Sequence, residues 1–176
     1  QVVSAVTTVT PGALTHVLES LDTNAIVAVA VAGVSTPGQG SADTVALAQG
    51  AGSWLIPVQA MTDDDHASLT RWLADPAVPK VIHDAKAAWH CLSGSGMTLE
   101  GVQLDTSLAA YLWLPGMRAD LADVVERVLG QRLQGGANDA GQMALDMHDT
   151  SLALEAAAVL DLADALLDGR LLAGAV

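Results

Sequence analysis

The segment AIVAVAVAG, residues 25–33, constrains the fold most strongly because it is apolar at odd and even positions alike. A strand with one solvent-facing side alternates apolar and polar residues, whereas a strand covered on both faces is apolar throughout. The segment therefore predicts a central strand. Such a strand needs a sheet with a packed layer on each face.

Four more segments are predicted to extend this strand into a sheet. Turn residues over 35–43 are followed by TVALAQ (44–49) and SWLIPV (53–58), joined by GAG, which favours an antiparallel meander. KVIHD (80–84) and LEGVQLDT (99–106) each precede a helical pattern, as in a βα unit. This order predicts an α/β fold with a mixed five-stranded sheet flanked by helices.

Capping residues predict where helices start. Thr10 and Pro11 are typical of an N-cap and a first helical position. Asp84, Asp105 and Asp120 each stand directly before an apolar pattern with helical spacing. Their carboxylates can accept hydrogen bonds from the first backbone N–H groups of a helix.

Two of the predicted helices carry apolar stripes that indicate a buried face. In the helix after Asp84, the stripe is expected to comprise Ala85, Ala88, Trp89 and Leu92. The last helix is predicted to begin at Asp149. Its buried face is expected to comprise Leu152, Ala156, Val159, Leu160, Ala163, Leu166 and Leu167.

The length of 176 residues predicts one domain, residues 1–176, with its own core. Its apolar end, LLAGAV, carries no helix stop, which favours a fragment of a longer protein. No apolar run approaches the roughly 18 residues of a membrane span, and no targeting segment is visible at Gln1. One Cys cannot form an internal disulfide. We therefore expect a cytoplasmic protein that makes no membrane contact.

The charge balance argues against DNA binding by this chain alone. Twenty acidic residues face seven Lys and Arg, for a net charge of −13. Affinity for nucleic acids comes largely from cations that neutralise phosphates. The acidity predicts a soluble surface and weak or no DNA binding.

The stretch KVIHDAKAAWHCL (80–92) groups residues that often bind metals or react, but their spacing favours a scaffold. A zinc site needs about four converging ligands, and neither paired Cys nor helical H-x3-H spacing is present among His83, Asp84, His90 and Cys91. Asp84 is explained by capping. A nucleophilic Cys91 would need a nearby base, and a lone helical Cys is usually a small buried hydrophobe.

The acidic residues of the last third of the chain do not follow the alternating pattern of a calcium loop. Asp161, Asp164 and Asp168 have helical spacing, which favours the solvated side of a helix; Asp146 and Asp149 precede them. No glycine-rich phosphate loop or hydrolase elbow is present in the sequence.

The segment KVIHDAKAAWHCLSGSGMTLEGVQLDTSLAAYLWLPG (80–116) resembles the 3′–5′ exonuclease domain of bacterial DNA polymerase I. The likeness lies in the strand-helix-strand-helix series, in LEG and DTSLAAYL, and in their spacing. It extends back through SWLIPV and AIVAVAVAG and forward to the last helix. The resemblance implies a ribonuclease-H-like, DnaQ-like exonuclease fold.

The same resemblance identifies the positions that correspond to the metal-binding residues of the family. Active members of that family hold two divalent metal ions with four carboxylates and a Tyr. The two acids of their first strand correspond to Ala30 and Ala32, and the Asp of the second motif corresponds to Ala88. The Tyr and Asp of the last motif correspond to Glu155 and Val159. The resemblance therefore implies no catalytic residue and no metal or other cofactor in this domain, with Mg²⁺ expected only in the polymerase domain of the parent chain.

The function implied is that of a vestigial exonuclease domain that supports this polymerase domain. DNA would then be a partner through the parent chain, which synthesises DNA on a template in replication and repair. One alternative is an active exonuclease whose metal ligands have moved, to residues such as Asp84, Asp105, His148 or Asp149. Another is a free-standing interaction module.

Overall fold

A six-stranded mixed sheet forms the centre of the computed structural model, which describes residues 6–113, 115–116, 120–133 and 144–168, the side chains of 144–149 excepted. The strands are β1 (Val6–Thr8), β2 (Val27–Val34), β3 (Ser41–Gln49), β4 (Gly52–Pro57), β5 (Lys80–Ile82) and β6 (Val102–Asp105). Their order is β1-β4-β3-β2-β5-β6. The meander β2-β3-β4 is antiparallel, whereas β1 pairs parallel with β4, and β5 and β6 follow β2 in parallel. The predicted α/β class and mixed sheet are confirmed.

The number of strands differs from the five predicted, because β1 was not expected. Its three residues are half-buried or exposed and lack an apolar pattern. The strand exists through pairing with Ser53–Leu55 of β4, a contact that no local pattern encodes.

Helices cover both faces of the sheet. They are α1 (Leu14–Ser20), α2 (Asp63–Ala74), α3 (Ala85–Gly94), α4 (Thr106–Trp113), α5 (Leu121–Leu129) and α6 (Ala144–Leu167), with a short 3₁₀ turn at Val58–Ala60. Helices α1, α2 and α3 share one core cluster with the sheet, and α6 packs on the opposite face. Among the described residues, no helix is both long and apolar enough to cross a membrane.

The central strand β2 is buried on both faces, as predicted. Val27 and Val29 belong to the core cluster of α1, α2 and α3, whereas Ala28 between them belongs to the α6 cluster. All three are at most 1% exposed. Successive strand side chains point to opposite faces, so this alternation follows from the strand itself.

Helix α6 packs on the sheet through small side chains. Alanines on both surfaces form this contact, namely Ala153, Ala156 and Ala163 of α6 with Ala28, Ala46 and Ala48 of the sheet. The helix starts at Ala144, earlier than the predicted Asp149. Six of the seven residues predicted for its buried face are buried, but Leu167 is 65% exposed.

The predicted start of α1 at Thr10 is wrong. The helix begins at Leu14, and a residue of α2, distant in sequence, supplies the missing cap. Asp65 accepts hydrogen bonds from the backbone N–H groups of Gly12 (2.6 Å) and Leu14 (3.3 Å), and it forms a capping box with Thr62. Burial acts to raise the pKa of Asp65, but these hydrogen bonds outweigh it and lower the pKa overall.

The other predicted caps are confirmed. Asp84 accepts from the N–H of Ala87 (3.1 Å), and Asp120 accepts from the N–H of Ala122 (2.9 Å). The predicted stripe of α3 is wrong at Trp89, which is 48% exposed, because the buried face of α3 is carried by Ala88, Cys91 and Leu92.

Lys80 at the start of β5 is fully buried, which its charge did not predict. Its Nζ donates hydrogen bonds to the carbonyl oxygens of Asp75 (2.9 Å), Val78 (3.2 Å) and Glu100 (2.9 Å), and it lies 5.0 Å from the ring centre of Trp72. The ammonium group thus holds the loop before β5 to the loop before β6.

Two glycines allow the β2–β3 turn to touch the end of α3. A Cβ on Gly94 would meet the carbonyl oxygen of Gly40, and a Cβ on Gly40 would meet that of His90. Beside this contact, the N–H of Ala42 donates to Ser95 Oγ (2.8 Å). The close backbone approach fixes α3 against the sheet.

Candidate functional site

A cleft of about 360 Å³ opens where β2, α3 and α6 approach the start of α5. It lies beside the carboxyl end of β5, the edge at which α/β sheets commonly place their ligands. The lining residues are Val29, Ala30, Val31, His83, Asp84, Ala87, Ala88, Asp120, Leu121, Glu155 and Val159.

Four of the five positions singled out in the sequence line this one cleft. They are Ala30 on β2, Ala88 on α3, and Glu155 and Val159 on α6. Ala88 is 5% exposed and Val159 is 1% exposed, so their methyl groups are part of the packed core. The structure therefore brings together residues that are distant in the chain.

Ala32 lies outside the lining, two residues beyond Ala30 on β2. Because strand residues two apart share a face, Ala32 points to the same side of the sheet as Ala30. Both are half-buried and pack against the α6 cluster, to which Val159 also belongs.

The polar side chains of the cleft come from three elements. His83 and Asp84 follow β5, Asp120 precedes α5, and Glu155 lies on α6. His83 Nδ1 lies 2.8 Å from Thr106 Oγ1, so that ring is oriented by the start of α4. Asp120 was predicted only as a cap. Its place beside the cleft depends on how α5 packs on α6, which no local pattern shows.

Glu155 is the acid that α6 contributes to the cleft lining. Burial raises the pKa of its carboxyl group, and the nearby charge of Asp120 raises it further. The shift reflects partial loss of hydration and the presence of a second acid close by, at the start of α5.

Asp105 is used to hold two helices. Its Oδ2 accepts from the N–H of Ala85 (2.8 Å), and its Oδ1 accepts from the N–H groups of Asp84 (3.1 Å) and Ser107 (2.9 Å) and from Ser107 Oγ (2.7 Å). Burial would raise the pKa of Asp105, but the hydrogen bonds from Ser107, Ala85 and Asp84 lower it overall. The capping prediction for Asp105 is confirmed, and its bonds extend to α3.

The cleft lining can be compared with what a pair of divalent ions requires. Two-metal sites hold their ions about 3.5–4 Å apart between several carboxylates. Within residues 6–113, 115–116, 120–133 and 150–168, no three His, Cys, Asp or Glu side chains are grouped so that they could hold a metal ion. His148 and Asp149 lie outside the described side chains, and so does Asp146.

Other residues considered as candidate sites are buried in the core or packed against neighbouring side chains. Cys91 is 3% exposed, and burial together with the charge of Asp43 raises the pKa of its thiol, which opposes a nucleophilic role. His90 packs edge-on against the ring of Trp89. Asp164 on α6 and Asp168, the residue after this helix, are exposed as predicted.

Asp161 departs from the predicted solvated face of α6. It is half-buried beside a second cavity of about 410 Å³, which Gln49 and Leu160 also line. Burial is the main cause that raises the pKa of Asp161.

Comparisons with known proteins agree on one family. Residues 39–135 match the model of the family described as DNA polymerase I, ribonuclease H-like domain. DNA polymerase I of Mycobacterium tuberculosis is 47% identical over 137 residues, which are 73% of this chain and 15% of that protein. DNA polymerase I of Mycobacterium leprae is 42% identical over 148 residues, which are 78% of this chain and 16% of that protein. The chain thus spans about 15% of the length of the curated relatives it matches.

Solved structures show the same fold. The POL domain of Pol1 from M. smegmatis, in complex with DNA primer-template and dNTP, matches with a TM-score of 0.80 and 36% identity, over 96% of this chain and 28% of that chain. The exoribonuclease RNase D of Escherichia coli matches with a TM-score of 0.67 and 18% identity, over 95% of this chain and 46% of that one. The second likeness is one of fold alone.

Proposed function

Because the chain belongs to the family of ribonuclease H-like domains of DNA polymerase I, we propose that it is a catalytically inert exonuclease-like domain. Its role is architectural: it supports the polymerase domain of a longer polypeptide, which copies a DNA template in replication and repair in the cytoplasm. Mg²⁺ acts in that polymerase domain, and DNA is bound there. The length of the mycobacterial relatives supports the larger parent chain.

The observation that carries this proposal is the chemistry of the cleft wall. Ala30, Ala88 and Val159 place methyl and isopropyl groups where the family resemblance expects carboxylates. Two divalent ions about 4 Å apart repel by about 4 kcal/mol even at the dielectric constant of water. Carboxylates must offset this repulsion and replace the lost hydration. Alkyl groups provide neither, and Glu155 alone cannot supply the several carboxylates that a pair of divalent ions needs.

An exonuclease assay tests the proposal directly. The purified chain at high concentration is incubated with single-stranded DNA labelled at its 5′ end, with Mg²⁺ or with Mn²⁺. We expect no shortening of the DNA beyond a reaction without protein, and no heat on calorimetric titration with either ion. Metal-dependent trimming by the chain would overturn the proposal.

A matched variant identifies the source of any activity. Asp84→Asn keeps the size of a cleft side chain and an oxygen that can accept the Ala87 bond, but it removes a charge. Trimming that persists in Asp84→Asn to the same extent shows that Asp84 is not a ligand, and leaves a contaminating nuclease or a site at Asp105, His148 or Asp149. Trimming that falls with Asp84→Asn supports the alternative of relocated metal ligands. The extent of the open reading frame separates a polymerase domain from a free-standing interaction module.

A further inference from the structure

Helix α4 presents an apolar surface to solvent. Leu108 is 62% exposed, and Tyr111 and Leu112 are each 73% exposed; we call these three residues the α4 face. With Trp113, which ends the helix and is 49% exposed, they are four of the seven large hydrophobic side chains that are exposed among the described residues. A contiguous exposed apolar patch on a soluble protein usually marks an interaction surface.

The α4 face is distinct from the side of α4 that packs on the domain. Thr106, Ala109 and Ala110 are the buried residues of this helix, which contacts α5, α6 and β6. Leu108, Tyr111 and Leu112 are spaced at i, i+3 and i+4 and therefore form one stripe on a helix. A helix that is apolar on two sides has its second side available for another partner.

We propose that the α4 face is the surface on which the polymerase part of the parent polypeptide docks. This inference rests on the proposed function. The chain corresponds to 28% of the matched M. smegmatis polymerase chain and to 15% of the M. tuberculosis relative, so most of such a polypeptide lies outside it. A covalently joined partner has a high effective concentration, so a modest apolar patch is enough to hold it.

Charge disfavours two other occupants of the α4 face, DNA and a second copy of the chain. Residues 106–116, TSLAAYLWLPG, contain no charged side chain, so α4 itself offers no cation to the phosphates of DNA. Aromatic rings can stack on bases, but sites for single strands combine them with a positively charged groove. A second copy of the chain would bring together two surfaces of net charge −13, which repel each other.

Hydroxyl-radical footprinting of the full-length parent polypeptide tests the docking. It is carried out at a concentration where sedimentation shows a monomer, and mass spectrometry measures the oxidation rates of Tyr111 and Trp113. We expect both to react several-fold more slowly than Trp89, a Trp of similar exposure on α3. Rates as fast as that of Trp89 would overturn the inference.

A double variant shows whether the α4 face itself makes the contact. Leu108→Asp with Leu112→Asp should raise the oxidation rates of Tyr111 and Trp113 in the parent several-fold, because charged side chains cannot be buried in an apolar interface. Leu167→Asp, at an exposed apolar position on α6, should leave them unchanged. Protection that persists in the double variant, or that appears only where sedimentation shows dimers, would overturn the inference.

Footprinting and the exonuclease assay test the two proposals independently. An unprotected α4 face in a polymerase parent refutes this docking surface but leaves the inert cleft untouched. Metal-dependent trimming refutes the inert cleft but does not change the footprint.

Discussion

Introducing carboxylates into the cleft should destabilise the domain, and a divalent ion should reverse part of the loss. The variant carries Ala30→Asp, Ala32→Glu and Ala88→Asp, which restores the acids that the family resemblance assigns to β2 and α3. Ala88 is 5% exposed, and the two β2 positions are half-buried against the α6 cluster. Each new carboxylate therefore loses part of its hydration.

The size of the effect follows from burial and repulsion. Single substitutions of this kind cost about 0.5–3 kcal/mol. Two carboxylates about 6 Å apart, at an effective dielectric constant of about 20, repel by about 3 kcal/mol. We expect the free energy of unfolding to fall by about 3–6 kcal/mol in the absence of metal, a large part of the roughly 5–15 kcal/mol that stabilises a typical domain.

A carboxamide variant of nearly equal size separates the effect of charge on stability from the effect of side-chain volume. Ala30→Asn, Ala32→Gln and Ala88→Asn introduce nearly the same volumes without charge. The carboxylate variant should be the less stable of the two at pH 7. Because burial and repulsion raise the pKa of a carboxyl group in the folded state, this penalty is present above the folded pKa and disappears as the pH falls toward about 4.

Urea unfolding with and without Mg²⁺ or Mn²⁺ is the assay. An ion present at 100 times its dissociation constant stabilises the state that binds it by about 2.7 kcal/mol, so only the carboxylate variant should gain stability. The reasoning is refuted if the carboxylate variant unfolds at the same urea concentration as the original chain. It is also refuted if the carboxamide variant loses as much stability at pH 7.

Three further predictions concern the scaffold around the cleft. Asp65→Ala removes the buried acceptor of several backbone N–H groups and should lower the free energy of unfolding by about 3 kcal/mol; the exposed Asp64→Ala should change it little, and urea unfolding compares them. Burial lowers the pKa of Lys80 from 10.5 to about 8, so the unfolded chain binds more protons between these values. The stability of the original chain relative to Lys80→Met should therefore rise from pH 8 to pH 10 by up to about 3 kcal/mol, and a flat difference contradicts this. Gly94→Ala places a Cβ against the turn before β3 and should lower the melting temperature, whereas the adjacent, exposed Ser93→Ala should not.

Capping rules predicted the helix starts whose cap is adjacent in the sequence. Asp84 and Asp120 cap α3 and α5 with their own side chains, so the sequence places both helix starts correctly. The start of α1 was misplaced because its cap is Asp65, which is contributed by α2. A pattern read over ten residues contains no information about a carboxylate that arrives through tertiary packing.

Burial was harder to predict for amphipathic side chains. Trp89 fits the apolar stripe of α3 by spacing, yet the buried face of the helix is turned toward Cys91. Lys80 is fully buried because three carbonyl groups from two loops converge on its Nζ. The sequence offers no signal for that convergence.

Three of the cleft positions, Ala30, Ala88 and Val159, could be singled out only through family resemblance, because alanine and valine carry no chemical signal. Composition and spacing identify acids, histidines and cysteines as candidates, and Asp105, Cys91 and His90 all proved to have structural surroundings. An alkyl group at a position that the family resemblance assigns to a metal ligand cannot be found by such a search. Such a position is recognised as part of a site only when the surrounding fold is known.

The packing of these alkyl groups shows what stabilises the contact between β2 and α6. Val159 is 1% exposed and belongs to the same apolar cluster as Ala28 and Ala156, and Ala30 and Ala32 pack against that cluster. A carboxylate in any of these places would lower the free energy of unfolding, because it would lose hydration, and a bound ion would offset this loss. With alkyl groups there, α6 and β2 meet through dispersion contacts and burial of apolar surface, which stabilise the domain whether or not metal is present. Such packing suits the architectural role proposed above, because that role requires a rigid surface and no bound ion.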